Sequence, residues 1–513
     1  MKSQGIGRLS AALLLLVLGG PVRAQTTFVD VTATAGLTGT IHRAGTAWGD
    51  FDGDGLSDVL VGSHFYEAPT LFRNLGDGRF TDVTSTVMEP PTNLATCVVP
   101  GEPVGPWGDQ HGRAWADFDN DGDLDLIQLI GAMKGLGCGP NQLYISAAGR
   151  LADHAIEWGV DYQYSRARNP TWIDYDNDGR LDLYQGAEPR KDTQAPPTLF
   201  RGTPEGFIDV RSDTGFEPLS NYAAFAADVM GGPAMELLID GALAVPLPLA
   251  PGAVSVPATS LRFVDISTPH FTDVTPINIP LSTRSDLVVG DFDGDLRQDI
   301  FIANEWTSTT PEGHRLYLNT ASGFVDASTS SGINALMRSS APSVVTGDFD
   351  NDMDLDIFYD GGKGTEASRG DLPNVILWNN GNGTFVADPQ AAGAAGPGFG
   401  SPPDMVTTAD YDVDGNLDLL LTYDKNPSST VQLYRNRGAG NHWLEVDLRG
   451  VLPAATRSAP KCSLPPAARR RFAKRTAAST SSMARTISDC TSGSARTPAS
   501  RKSGWLGPRG RIR

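Results

Sequence analysis

Cysteine is scarce in this chain, four in 513 residues, which allows two disulfides at most. Cys97 and Cys138 stand in Gly/Pro-rich insertions on either side of an acidic loop, where a bridge would suit an exported protein and free thiols are equally ordinary. Cys462 and Cys490 support no inference. Positive charge is also short: the net charge is −19, which argues against nucleic acid or an anionic membrane as partner. Past the amino terminus, no apolar run approaches the roughly 20 residues that cross a bilayer. There is no nucleophile elbow, no triad signature and no Gly-rich phosphate loop. His42, His64, His111, His154, His270, His314 and His442 show no metal-ligand spacing.

What is abundant is glycine and proline, 57 and 36 residues, beside 40% hydrophobic residues. That mixture points to many short strands and turns, and the length suits a repeat array or several domains. Acidic charge is concentrated. Residues 451–513 hold 14 of the 41 basic residues and one of the 60 acids, which leaves 27 basic and 59 acidic groups, net −32, over the first 450.

Much of that charge sits in one motif. Asp50-Phe51-Asp52-Gly53-Asp54-Gly55-Leu56-Ser57-Asp58 puts carboxylates at positions one, three, five and nine, with glycine at six. Alternate side chains of a tight loop converge on one point, and hard oxygens in that arrangement are what calcium prefers. The loop resembles the first part of an EF-hand loop, but a β-type run, Val59-Leu60-Val61, follows instead of a helix. The pattern returns at Asp117, Asp119, Asp121, Asp125; at Asp174, Asp176, Asp178, Asp182; at Asp291, Asp293, Asp295, Asp299; at Asp348, Asp350, Asp352, Asp356; and at Asp410, Asp412, Asp414, Asp418. A degenerate copy, Asp228 to Glu236, keeps the spacing without the middle carboxylates and is expected to bind nothing. Start-to-start distances of 67, 57, 54, 63, 57 and 62 residues mark a repeat architecture. Four or five mutually repelling carboxylates per loop link folding to metal. Magnesium wants a stricter octahedron, so about six Ca²⁺ sites are expected. Catalytic carboxylates and a merely solvated acidic surface are the weaker readings.

Each acidic loop lies between strands, and a hairpin follows. Leu71-Phe72-Arg73-Asn74 turns through Gly76-Asp77-Gly78 into Phe80-Thr81-Asp82-Val83, and the later copies do likewise. Each unit therefore reads as a four-stranded antiparallel sheet. The first strand, Thr27 to Thr32, has no partner before it, and the last unit ends at Leu433-Tyr434-Arg435-Asn436 one strand short. Pairing the two closes a ring, an all-β seven-bladed β-propeller. Ahead of it, Lys2 and Arg8, the apolar Ala11 to Leu18 and the small residues of Val22-Arg23-Ala24 read as a secretory signal peptide over 1–24. The localisation expected is secreted, periplasmic or cell-surface.

These copies resemble the FG-GAP/VCBS repeats of integrin-like β-propellers, over about 26–440. Asn441-His442-Trp443-Leu444-Glu445-Val446-Asp447-Leu448-Arg449-Gly450 resembles the opening of the ASPIC/UnbV module. Together they resemble bacterial cartilage acidic protein-like proteins. The resemblance implies an extracellular propeller over 25–440 with structural calcium and no established catalysis, then the start of a second module at 441–450. Two loops depart from the pattern: Leu296 and Met353 stand where glycine is usual, so strain and weaker binding are expected there. The likeness stops at Gly450. Residues 451–513 read as a basic, disordered tail that is out of frame: back-translating Met483 to Gly504 one base earlier allows a string with the Phe-Gly-Leu-Gly of the ASPIC/UnbV module. A natural disordered basic tail is the alternative.

Trp48, Trp115 and Trp172 each stand two residues before a loop, where other units carry Ala226, Val289, Thr346 and Thr408. That suits a packing slot better than a sugar platform. The Val245 to Ala258 and Ala391 to Pro403 tracts read as surface insertions. The leading function is a calcium-bracketed module, not an enzyme, that binds an extracellular protein or glycan on one end of the ring. The alternative is an enzyme or enzyme accessory acting on extracellular polysaccharide from the central funnel, and a third reading is a chain whose function is lost with its last module.

Overall fold

A computed structural model describes residues 26–38, 43–63, 67–91, 107–132, 135–136, 139–192, 194–219, 224–231, 235–240, 243–282, 285–304, 313–333, 343–361, 373–396, 405–422, 431–438, 440, 445–446 and 511–512. The signal-peptide reading, the Cys97–Cys138 pair, nearly all of the 441–450 module and the out-of-frame reading of 451–513 fall outside them. Of residues 441–513 the described ones are 445–446 and 511–512, where Glu445–Val446 pairs in parallel with Arg511–Ile512 as a separate two-stranded sheet.

Seven antiparallel sheets follow one another along the chain. The first is Arg43–Gly49, Asp58–Ser63, Thr70–Asn74 and Phe80–Asp82. The next two run from Gln110–Ala116 to Arg150–Asp153 and from Ala167–Ile173 to Gly206–Asp209. The fourth spans Ala224–Ala227 to Thr272–Asp273, the fifth Ser285–Gly290 to Gly323–Asp326, and the sixth Val344–Gly347 to Phe385–Asp388. Blade seven takes Met405–Ala409, Asp418–Thr422 and Gln432–Asn436 from the end of the chain and Phe28–Asp30 from its beginning. The register is Phe28 against Asn436, Val29 against Arg435 and Asp30 against Tyr434, so the amino-terminal strand closes the ring as the sequence implied.

Second strands are buried on both faces, Asp58–Ser63 throughout, because each blade packs between two others. The core is accordingly seven wedges, one per pair of neighbours. One wedge sets Trp48, Val59, Phe72 and Phe80 of blade one against Tyr411, Leu420 and Leu433 of blade seven. Trp115 lies against Gly49 and donates to Ala47 O, and Trp172 donates to Ala114 O; the tryptophan slot is an inter-blade packing position. The first strands of most neighbouring blades run side by side around the axis.

Blade four differs from the reading. Ile279–Pro280 adds a fifth strand. The tract at 245–258 is less of a surface insertion than expected: Ala250 N–H donates to Asp273 O and Val254 N–H to Thr275 O, so it covers the blade's outer edge. An uncovered edge would be a template for pairing with another chain.

Candidate metal centres

The acidic loops join first to second strands, so they lie on the same end of the ring as the hairpins between third and fourth strands. In each, the aspartate at position one folds the loop over itself. Asp50 accepts from Asp54 N–H at 2.9 Å and Gly55 N–H at 2.8 Å, and Asp410 from Asp414 and Gly415 at the same two distances. The aspartate at five then takes the amide of position seven, Leu56, Asp123, Arg180, Arg297, Asp354 or Asn416, at 2.9–3.0 Å. These turns draw three carboxylates within 4.8 Å of one another. The trio is Asp50, Asp52 and Asp58 in the first loop, Asp174, Asp176 and Asp182 in the third, and Asp348, Asp350 and Asp356 in blade six. In the loops of blades two and five it is Asp117, Asp119 and Asp121, and Asp291, Asp293 and Asp295, so Asp125 and Asp299 stand outside it.

Position nine does more than close a ring. It is fully buried at the start of the second strand, and its two oxygens take amides from two places. Asp58 accepts from Phe51 N–H at 3.2 Å and from Asn74 N–H, at the end of the third strand, at 2.7 Å. Asp182, Asp299, Asp356 and Asp418 repeat the arrangement. A carboxylate has about four acceptor sites, so two remain to face the loop. Burial pushes Asp58, Asp125 and Asp299 up to about 7 and Asp182 to about 8, and holds Asp356 and Asp418 well above the usual carboxylate range. Asp348 and Asp410, at position one, also rise to about 7, first through burial. Oδ1 of Asp117, Oδ2 of Asp125 and Oδ1 of Asp412 are buried without a hydrogen-bond partner. Buried oxygens that lack donors, in a crowd of carboxylates held near neutrality, are what a hard divalent cation satisfies.

Two kinds of loop residue had gone unassigned in the sequence. Arg73 Nε meets Asp52 at 2.5 Å and its Nη2 meets Asp54 at 3.2 Å, and Arg435 does the same for Asp412 and Asp414 at 2.6 and 3.2 Å. Arg180 pairs with Asp178 and Arg297 with Asp295. For Arg73 and Arg435 the signal was an arginine recurring before the last residue of the third strand, and for Arg180 and Arg297 an arginine at position seven of the loop. Position four is the other: Asn120, Asn177, Asn351 and Val413 all take positive φ, 56–64°, as do Gly53 at 71° and Gly294 at 79°.

Position six is left-handed throughout. Gly55, Gly122, Gly179 and Gly415 have φ of 86–99°, and Leu296 and Met353 adopt 74° and 81°. The substituted loops therefore keep the fold and carry the strain. Both side chains are exposed, 65% and 46%, so little packing is lost with them. Leu296→Gly and Met353→Gly should each stabilise by about 0.5–1 kcal/mol, the left-handed penalty less glycine's added entropy. Val413→Asn should gain similarly, since a β-branched residue is least suited to that region. Thermal melts check this, and a loss of stability in all three would refute the strain.

The degenerate loop keeps its frame without the trio. Glu236 replaces the ninth aspartate, accepts from Val229 and Met230 N–H at 2.9 and 3.1 Å, and is raised to about 7 by burial.

A family profile described as FG-GAP-like repeat matches residues 50–128 and 291–359. The chain carries FG-GAP-like repeats. It is similar to cartilage acidic protein 1 of Homo sapiens, 31% identical over 34% of this chain and 25% of that one. Against cartilage acidic protein 1 of Mus musculus the identity is 23% over 88% of this chain and 70% of that one. The chain thus spans a quarter of the human relative's length in the first match. Among solved structures, a lectin of Agrocybe aegerita described as recognising non-reducing terminal N-acetylglucosamine aligns over 76% of this chain and 94% of its own, at 14% identity and TM-score 0.44. A rhamnogalacturonan lyase of Bacillus licheniformis aligns over 80% and 75%, at 13% identity and TM-score 0.37. Likeness at that level says nothing of what this FG-GAP-like propeller binds.

Proposed function

We propose that the chain is a secreted FG-GAP-like propeller over residues 25–440, braced by about six Ca²⁺ ions, that binds an extracellular protein or glycan on the end of the ring opposite the acidic loops. An ASPIC/UnbV-like module begins at 441. The calcium ligands are the aspartates at positions one, three, five and nine of the six loops, and what the metal supplies is charge balance inside a dry turn. Among the described residues no helix is long and apolar enough to cross a membrane.

The observation that carries the binding reading is an asymmetry around the axis. First strands of blades one to three hold Arg43, His111, Arg113 and Arg168, and each is interrupted by a bulge near its start. First strands of blades four to seven hold no basic residue, and their single charged residue is Asp286. Bulges re-aim side chains and cluster beside functional sites. Arg168 and Arg166 share Glu188, at 3.2 and 2.5 Å, so that trio keeps one net positive charge at this mouth, while His111 lies 3.4 Å from Asp109. That mouth suits a partner with acidic groups. Asp286, raised to about 6 by burial, is the group an enzyme would need, but its oxygens accept from Val344 and Leu287 N–H at 3.0 and 2.9 Å. A carboxylate held by backbone in this way favours a binding module over an enzyme.

Calcium-loaded protein should retain an acidic glycan or protein in an array and pull-down screen. Arg166→Ser should weaken that binding about fivefold, the worth of one part-exposed charge contact. Arg79→Ser, on the loop end, should leave it unchanged. The opposite ranking would place the partner on the loop end and refute the reading.

A further inference from the structure

In four blades an asparagine stands at the end of the third strand, or one residue before it in blade five, and each of these asparagines reaches into a neighbouring blade. Asn379 N–H donates to Asp356 of its own loop at 2.9 Å, while its Nδ2 donates to Phe292 O, at position two of the loop in blade five, at 2.8 Å. Asn436 joins Asp418 to Phe349 O of blade six, at 2.7 and 2.8 Å. Asn74 joins Asp58 to Tyr411 O of blade seven across the ring closure, both at 2.7 Å. Asn319 joins Asp299 to Val229 O in the degenerate loop, both at 2.7 Å.

The links are in series. The residue whose carbonyl is held gives its own N–H to the ninth carboxylate of its loop: Phe292 to Asp299, Phe349 to Asp356, Tyr411 to Asp418. An unbroken path of buried hydrogen bonds thus runs from the ninth carboxylate of blade five through those of six and seven to that of blade one. Blades six and seven are joined a second time, because Asn351 Nδ2 donates to Gly415 O at 3.1 Å and to Asn416 Oδ1 at 3.0 Å. The path stops where the asparagine does. Ser146 and Gly202 occupy its place in blades two and three, where the backbone bond to Asp125 or Asp182 is kept and no side-chain amide is available.

We propose that these asparagines couple divalent-cation binding between neighbouring loops, so that the sites of blades five, six, seven and one fill cooperatively while those of blades two and three fill independently. Asn74, Asn379 and Asn436 are positioning residues: a cation that fixes the ninth carboxylate fixes the amide at position two, and with it the carbonyl that the next blade's asparagine holds. The inference rests on the calcium reading of the loops.

The experiment is a calcium titration of the chelator-stripped full chain, followed by calorimetry for stoichiometry and by melting temperature at each calcium level. The wild type should take up about six ions in two classes, a steep one with a Hill coefficient of about 2 and a shallow one. Asn379→Ser combined with Asn436→Ser copies the natural serine of blade two. It should keep the stoichiometry, lower the Hill coefficient to about 1 and raise the midpoint of the steep class about fivefold, at the lower end of usual coupling. Asn319→Ser is the control. It removes the same kind of bond, but toward a loop without the ligand trio, so it should cost comparable stability and leave the Hill coefficient unchanged. Six independent sites in the wild type would overturn the coupling while leaving the calcium reading intact, as would an unchanged slope in the double variant. No calcium uptake at all would overturn both.

Discussion

Stripping calcium with EDTA at pH 8 should lower the melting temperature of this propeller by about 3–10 °C. Extracellular calcium modules bind with Kd of about 10⁻⁴–10⁻³ M. At millimolar calcium each site then contributes about 0.4–1.4 kcal/mol, and six sites about 2.5–8.5 kcal/mol. An unfolding entropy of about 2.1 cal/mol/K per residue over roughly 400 residues converts this to the stated shift. The effect should also depend on pH in a definite sense. Asp58, Asp125 and Asp299 rise from 3.8 to about 7 and Asp182 to about 8, all first through burial. The metal-free fold therefore holds more protons than the unfolded chain between about pH 4 and 8, and its stability falls as pH rises through that window. Calcium needs the ionised carboxylates, so its benefit grows over the same window. Melts with and without EDTA should diverge at pH 8 and converge toward pH 5. Coincident melts at pH 8 would remove calcium from the account of stability.

The blade count, the antiparallel order within each blade and the closing strand were all legible in the sequence, because each rests on spacing. Strand follows loop at fixed distance six times over, and a chain that begins and ends one strand out of phase has an evident way to close. The carboxylate clusters were legible for the same reason. What spacing does not carry is contact between blades. The Trp48 slot reads correctly only as a size preference, and its partner, Thr407 in blade seven, is 359 positions away. Asn379 is an unremarkable residue in its own repeat, and its meaning lies in Phe292, 87 positions earlier. The left-handed position four had a signal in the sequence, glycine or asparagine in five of six loops, the residues that best tolerate positive φ, and only Val413 breaks it. Blade four was hardest to read: with the middle carboxylates gone, nothing in the pattern announces that Glu236 still holds the turn or that the 245–258 tract lies along the sheet edge.

Deleting Thr26 to Thr32 should cost the propeller its closure and with it most of its stability. The segment fills the fourth place in blade seven, where Phe28 is 2% exposed and meets Phe349 of blade six edge-on at 6.1 Å. Val31 N–H donates to Leu433 O and Arg437 N–H to Thr27 O, both at 2.9 Å, on either side of the three-residue ladder. Losing the phenylalanine costs about 3–5 kcal/mol. Several backbone hydrogen bonds at about 1 kcal/mol each add to it. The sum approaches a domain's whole stability of about 5–15 kcal/mol. It also uncovers the edge of Gln432–Asn436, a site for pairing with another chain. The truncated protein should aggregate, or be cut by protease near residues 420–440 while the other blades resist. Phe28→Ala separates packing from pairing: it keeps the ladder and should lower the melting temperature by about 4–6 °C, its cavity cost divided by the unfolding entropy used above. A truncated chain that melts with the parent would mean that blade seven is stable with three strands, and that the ring is held by its wedges alone.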